Sequence, residues 1–298
     1  MILCDLSKAF DSVSHVILLS KLNLVRVDSF WFEDYLQNRN QSVQIGKVRS
    51  NSTSVEYGVP QGSILGPILF LIYINDMINQ NFECSLIQYA DDCQFLLKGK
   101  VDDLNDIVKK AEDILVKAKR YFDKNGLLIN SKKTQCIFIG SRQNISKIPH
   151  DLHINFDGNE LTPSHSVKNL GVHIDRYMTF NVHINEMHHK VMGILMYLNR
   201  IKNNLPPSTR TLVVQSLALS VINYCSKIWG AAGKTQLSQV QKLQNFAARI
   251  AIGNIRKRDH ITPHINKLQW LKINSKCAFD NYMCLHMQDQ TISSHLGF

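Results

Sequence analysis

Two adjacent carboxylates, Asp91 and Asp92, lie between apolar arms, Leu86-Ile87 before them and Phe95-Leu96-Leu97 after. No other segment constrains the chain as strongly. Apolar arms flanking a short polar break read as a hairpin, with both arms in a sheet and the acids of Tyr89-Ala90-Asp91-Asp92 pushed out to the tip. Negative charge fixed at one point is costly unless a cation neutralises it, and hard oxygen donors suit Mg²⁺ or Mn²⁺. A third carboxylate from another strand would complete a site for two divalent ions about 3.5–4 Å apart, which stabilises both the attacking and the leaving oxygen of a phosphoryl transfer. Asp5, at the end of the apolar run Ile2-Leu3-Cys4 and the head of Asp5-Leu6-Ser7-Lys8-Ala9-Phe10-Asp11, is the candidate. On these acids alone, a solvated acidic turn is the commoner arrangement.

Between the two acidic segments stands Gly58-Val59-Pro60-Gln61-Gly62-Ser63-Ile64-Leu65-Gly66-Pro67. Glycines around a proline make a tight turn and allow the backbone a close approach to a flat partner. Ser63 reads as the cap of the following helix, whose first turn tolerates Pro67. Around this turn the expected elements are helices from Ser14 through Leu22 and Ser29 to Leu36, and strands over 42–48 and 53–59. A helix over 64–78 and the acidic hairpin over 84–98 follow. A long helix from Val101 to Phe122 has apolar residues at 104, 107, 108, 111, 114, 115 and 118, close to a 3.6-residue period. Asn125-Gly126 ends it, and a strand over 135–139 returns to the sheet. Residues 151–175 read as β-rich with a turn at Asp157-Gly158-Asn159, and helices are expected over 182–203, 208–226 and 235–252. The class is therefore α+β, an antiparallel sheet with packed helices followed by a helical region, divided as 1–178 and 179–298.

Charge is unevenly spread. Residues 1–100 carry 8 Lys and Arg against 10 Asp and Glu, a balance of −2, whereas residues 101–298 carry 26 against 14, a balance of +12. An acidic first part joined to a basic second part suits a metal-dependent enzyme acting on a polyanion. No apolar run reaches the roughly 18–20 residues of a membrane span, and no leader pattern opens the chain, so an intracellular, non-secreted protein that does not span a membrane is expected. Cysteines 4, 84, 93, 136, 225, 277 and 284 form no C-x-x-C pair, which argues against a disulfide framework or a zinc knuckle.

Taken in order, D-L-S-K-A-F-D from Asp5, G-V-P-Q-G-S-I-L-G-P from Gly58, Y-A-D-D from Tyr89, N-G-L-L-I-N-S-K-K-T from Asn125 and K-N-L-G-V-H-I-D from Lys168 resemble the reverse transcriptase of non-LTR (LINE-type) retrotransposons. The resemblance runs from residue 2 to about 175. Weaker matches, such as Asn223-Tyr224, Ile228-Trp229-Gly230 and Leu243-Gln244, extend it into that family's thumb helices. Details such as Gly-Ser-Ile-Leu-Gly-Pro set it apart from intron maturases and telomerases.

The resemblance implies a palm over 1–178, with a β-rich primer-support segment at 151–175, and a helical thumb over 179–298. It implies RNA-directed DNA polymerase activity, with Asp5, Asp91 and Asp92 as catalytic acids holding Mg²⁺ or Mn²⁺ and Lys133 near the triphosphate. Phe10 falls where the family keeps a ring beneath the sugar, and Gln61 and Gly62 fall in the loop against the nascent base pair. Leu170 and Gly171 fall in the hairpin supporting the primer end. Arg249, Arg256, Lys257 and Arg258 are basic residues placed to meet phosphates. The implied partners are an RNA template, a DNA primer and dNTPs. In the family a fingers region precedes the first catalytic strand, and an endonuclease usually precedes the fingers. Neither is seen here, so little primer extension is expected of this chain by itself. The alternative reading is a catalytically silent remnant that retains RNA or RNA–DNA hybrid binding.

Overall fold

The computed structural model describes residues 1–256 and 258–295, the last nine of these by backbone alone. It is a mixed helix-and-sheet protein that divides into two compact units, residues 1–165 and the chain from Ser166 onward. No helix among the described residues is long and apolar enough to cross a membrane.

In the first unit, strands β1 (Ile2–Cys4), β2 (Ser85–Tyr89), β3 (Asp92–Leu96) and β4 (Gln135–Cys136) pair antiparallel in the order β4-β1-β3-β2. The acidic hairpin forms as its pattern requires, with Tyr89 opposite Asp92 across a two-residue turn. Helices α1 (His15–Leu24), α2 (Ser29–Leu36), α3 (Leu65–Ile74) and α4 (Leu104–Lys124) accompany the sheet. The Ser14 hydroxyl accepts the Ile17 N–H at the start of α1, and Asp28 accepts that of Phe30 at the start of α2. Ser63 works as a cap too, its hydroxyl accepting the Gly66 N–H at 2.9 Å. The expected period of α4 is the buried one, with Ala111, Ile114, Leu115 and Ala118 joined by Tyr121 and Phe122. Each fully buried Phe or Leu contributes about 1.5–3 kcal/mol. That core also takes in Leu18, Leu69, Phe70, Tyr73 and Phe95.

One buried polar network crosses this core. Lys21 Nζ donates to the Tyr73 carbonyl at 2.5 Å and to Asp76 Oδ1 at 2.8 Å. The Tyr121 hydroxyl meets the same carboxylate at 2.5 Å, and the Tyr73 hydroxyl donates to the Asn125 carbonyl at 2.5 Å. Burial holds the Lys21 ammonium below its ordinary pKa despite the favourable pull of Asp76.

The segment expected as two strands, 42–48 and 53–59, differs. It is a ribbon of two-residue strands, Asn40–Gln41 with Thr53–Ser54 and Gln44–Ile45 with Val48–Arg49. Gly46, at φ +60°, turns the chain inside the first expected strand. All four pieces are exposed, so no buried face enforces a long ladder. The return strand is shorter than 135–139 because only Gln135 and Cys136 find a ladder partner in β1.

The second unit opens with a hairpin, β5 (Ser166–Asn169) and β6 (Val172–Asp175), which leads into helix α5 (Asn181–Ile201). Helix α6 (Lys234–Ile252) packs against α5, and their core includes Ile184, Val191, Leu195, Trp229, Val240 and Leu243. The helix expected over 208–226 is broken. It runs from Pro207 to Val214, widens over Gln215–Leu219, resumes over Ser220–Asn223 and stops before Cys225 at φ +51°.

Candidate active site

Asp5 directly follows β1, and Asp92 opens β3. The antiparallel register sets Cys4 opposite Cys93, which carries Asp5 and Asp92 to the same end of neighbouring strands. Asp91 occupies the second turn position of the hairpin, after Ala90 at φ +51°. A positive φ at the first turn position matches the twist of the flanking strands, but glycine normally supplies it. Alanine there is strained, and the strain sits directly beneath the acid pair. Partial desolvation, then the charges of Asp91 and Asp5, push the Asp92 carboxyl above the ordinary carboxylate range.

Their oxygens are hard donors of the kind Mg²⁺ and Mn²⁺ prefer. Among the described residues, no three His, Cys, Asp or Glu side chains are already closed around a common point as a metal would require. The donor chemistry of the three carboxylates fits such an ion.

Lys133 is brought to this cluster from far along the chain. The Asn130 N–H donates to the Asp5 carbonyl at 2.8 Å, and the Asn130 carbonyl accepts from Lys133 N and Thr134 N. That turn sets Lys133 Nζ 3.8 Å from Asp5 Oδ2, with the lysine side chain 69% exposed. An exposed cation beside an acid cluster can neutralise a polyanion or donate a proton.

The glycine-proline turn is stitched to the segment after Asp5. Gly58 N donates to the Val13 carbonyl and Val59 N to that of Phe10. Gln61 Nε2 donates to Asp11 Oδ1 at 2.8 Å, so Asp11 is a partner for the loop. The half-buried Phe10 ring stacks on buried Phe70 with centroids 4.4 Å apart, which fixes its orientation. Gly62 holds φ +83° with open space where a side chain would stand, leaving its backbone approachable.

In the second unit, Leu170 (φ +44°) and Gly171 (φ +82°) form the tip between β5 and β6. Tyr224 Oη donates to the Leu170 carbonyl at 2.6 Å, and its ring would lie 3.3 Å from any Cβ at position 171. Leu170 is thus held strained, exposed and rigid. Asp175, which the sequence reading left without a role, caps the entry to α5. Its carboxylate accepts from Tyr177 N, Thr179 N, Thr179 Oγ1 and Phe180 N. Burial by itself would raise its pKa, but these bonds hold it below the ordinary value.

The basic residues do not share one role. Arg249 spends two guanidinium nitrogens on the carbonyls of Arg256 and Asp259, at 2.6 and 2.9 Å, and so closes the loop after α6. Arg256 and Arg258 are exposed, and Lys257 lies outside the described residues.

Residues 1–174 match the family model described as "Reverse transcriptase (RNA-dependent DNA polymerase)". The chain is 28% identical over 257 residues to the RNA-directed DNA polymerase from mobile element jockey of Drosophila funebris, covering 80% of this chain and 27% of that protein. It is 24% identical over 258 residues to a probable RNA-directed DNA polymerase from transposon X-element of Drosophila melanogaster, covering 84% and 28%. A third relative, from transposon BS of the same fly, is 26% identical over 260 residues, covering 82% and 28%. The chain thus spans little more than a quarter of the length of these curated relatives. A telomerase from Candida albicans, solved with a TWJ fragment of telomeric RNA, is similar at a TM-score of 0.40 and 10% identity over 91% of this chain and 51% of that one. That likeness is too loose to argue from.

Proposed function

The chain belongs to the reverse transcriptase (RNA-dependent DNA polymerase) family, and from that premise we propose that it is the RNA-directed DNA polymerase portion of a non-LTR retrotransposon protein. The reaction is template-directed addition of dNTPs to a primer 3′-hydroxyl on an RNA template. In this reading residues 1–178 are the palm, with the primer-support segment at 151–175, and residues 179–298 are the thumb. The observation that carries it is the register of β1 and β3, which brings Asp5 and Asp92 to the same end of neighbouring strands, with Asp91 in the adjoining turn.

Asp5, Asp91 and Asp92 would hold Mg²⁺ or Mn²⁺, which when bound stabilises the charge developing on the attacking and leaving oxygens. Lys133, 3.8 Å from Asp5, neutralises the triphosphate of the incoming nucleotide. The Phe10 ring, braced by Phe70, excludes a 2′-hydroxyl and so selects deoxynucleotides. Gly62 lets the backbone lie against the nascent base pair, with Gln61 anchored to Asp11 beside it. The rigid Leu170-Gly171 tip supports the primer end, and Arg256, Lys257 and Arg258 meet backbone phosphates. Phosphoryl transfer rests on positioning and charge neutralisation, and these assignments divide between the two.

Primer extension on a poly(rA)–oligo(dT) substrate tests this reading. The expected result is dTTP incorporation, even if weak, that Asp91→Asn abolishes while leaving hybrid binding intact. Incorporation untouched by Asp91→Asn would refute the assignment of the acids. Binding with no incorporation under any divalent ion would favour the silent remnant.

A further inference from the structure

Helix α2 and the ribbon after it carry features that the acid cluster does not use. Trp31, Tyr35 and Arg39 recur every four residues along one row. Trp31 stacks on Tyr35 with centroids 5.7 Å apart and planes at 6°, and the Arg39 guanidinium lies 4.3 Å over the Tyr35 ring. Arg39 Nε donates to the Tyr35 carbonyl at 2.6 Å, which locks the stack. The outermost member, Trp31, is nevertheless 57% exposed. A large ring held rigid and left in water has no role in the core.

The charge pattern names the partner. From Tyr35 through Val55 the sequence contains no Asp or Glu, while it contains Arg39, Lys47 and Arg49 among amide and hydroxyl side chains. Of the acids of α2, Glu33 lies on the far side of the helix from Trp31, and Asp34 flanks the row at i+3. A flat aromatic face beside an acid-free cationic ribbon fits a polyanion with unstacked flat groups. Base–aromatic stacking with arginine support is the general chemistry of single-strand binding.

We propose that α2 and the 39–55 ribbon bind an unpaired polynucleotide strand, with Trp31 stacking on a base and Arg39, Lys47 and Arg49 meeting its phosphates. The surface shares no residue with the acid cluster and needs no divalent ion, so its failure is distinguishable from a failure of the polymerase reading.

The test is r(U)12 and d(T)12 binding in EDTA, with Asp91→Asn as the background, read by tryptophan emission and by anisotropy of labelled strands. Of the three tryptophans, Trp229 is fully buried and Trp270 partly buried, so a Trp270→Phe background assigns saturable quenching to Trp31. The expected result is quenching by one or both strands, with the stronger identifying the strand type. Trp31→Leu should remove most of the quenching and weaken binding about tenfold, and Trp31→Phe should retain affinity. Arg39→Gln should reduce the salt slope by about 0.7. Quenching that persists in Trp31→Leu, or a 12-base-pair duplex that competes as well as the single strands, would overturn the proposal. If Trp31→Leu fails to fold, Trp31→Phe and Arg39→Gln still decide it. Loss of affinity in Trp31→Phe with no change of slope in Arg39→Gln would count against it.

Discussion

Leu170 holds φ +44° at an exposed hairpin tip, where the turn type favours Asn-Gly. A branched side chain in that region costs about 1–2 kcal/mol, and the Tyr224 hydroxyl helps keep the backbone there. Strain of this kind persists where it serves a contact, and here the contact proposed is with the primer strand. Leu170→Asn should therefore raise the melting temperature by about 1–3 °C while lowering affinity for a primer–template hybrid. A lower melting temperature would show that Leu170 is held by packing. Asp175 allows a sharper test, through pH. Its folded pKa lies below the unfolded value, so its stabilisation is present above about pH 4 and is lost as pH falls through the lowered folded value. Asp175→Asn should melt below the wild type at pH 7, and the gap should close as pH drops beneath about 4. A gap constant from pH 7 to 3 would assign the loss to shape.

At the level of elements, the network of Lys21, Asp76, Tyr73 and Tyr121 ties α1, α3 and α4 together. Lys21 is buried while Asp76 is half-exposed, so the pair is worth more than a surface pair and less than a fully buried one. Lys21→Ala should cost about 2–4 kcal/mol in urea unfolding, since it strands the carboxylate and opens a gap against two rings. A cost below about 0.5 kcal/mol would mean that water already satisfies the pair. How much of this was legible in the sequence depended on whether a buried face imposed a period. The apolar positions of α4 located the helix and its buried face, because packing enforces them. The 40–54 ribbon was misread because both faces are in water and alternation there carries no packing information. Gly46 was the available signal for its turn. The helix expected over 208–226 forms in pieces over 207–223, and its widening at Gln215–Leu219 has no marker in the apolar pattern. In the site, motif order led to Asp5, Asp91, Asp92 and Lys133. The Gln61–Asp11 bond, the Asn130 turn and the Arg249 loop closure join positions 50, 125 and 10 residues apart, or bond backbone to side chain, and no pattern along the chain announces them.

Across the whole molecule, net charge divides between −2 in residues 1–100 and +12 in the rest, an asymmetry suited to handling a polyanion. The proposal at the centre is local: Asp5, Asp91 and Asp92, at one end of a four-stranded sheet, hold divalent ions. Binding of Mn²⁺, followed through the loss of the free-ion paramagnetic resonance signal, tests this without requiring turnover. The wild-type chain should bind Mn²⁺ at neutral pH. Mg²⁺ should displace it, and both Asp5→Asn and Asp91→Asn should weaken binding at least tenfold while Asp11→Asn leaves it within twofold. Mn²⁺ affinity unchanged by Asp5→Asn and Asp91→Asn would contradict the account.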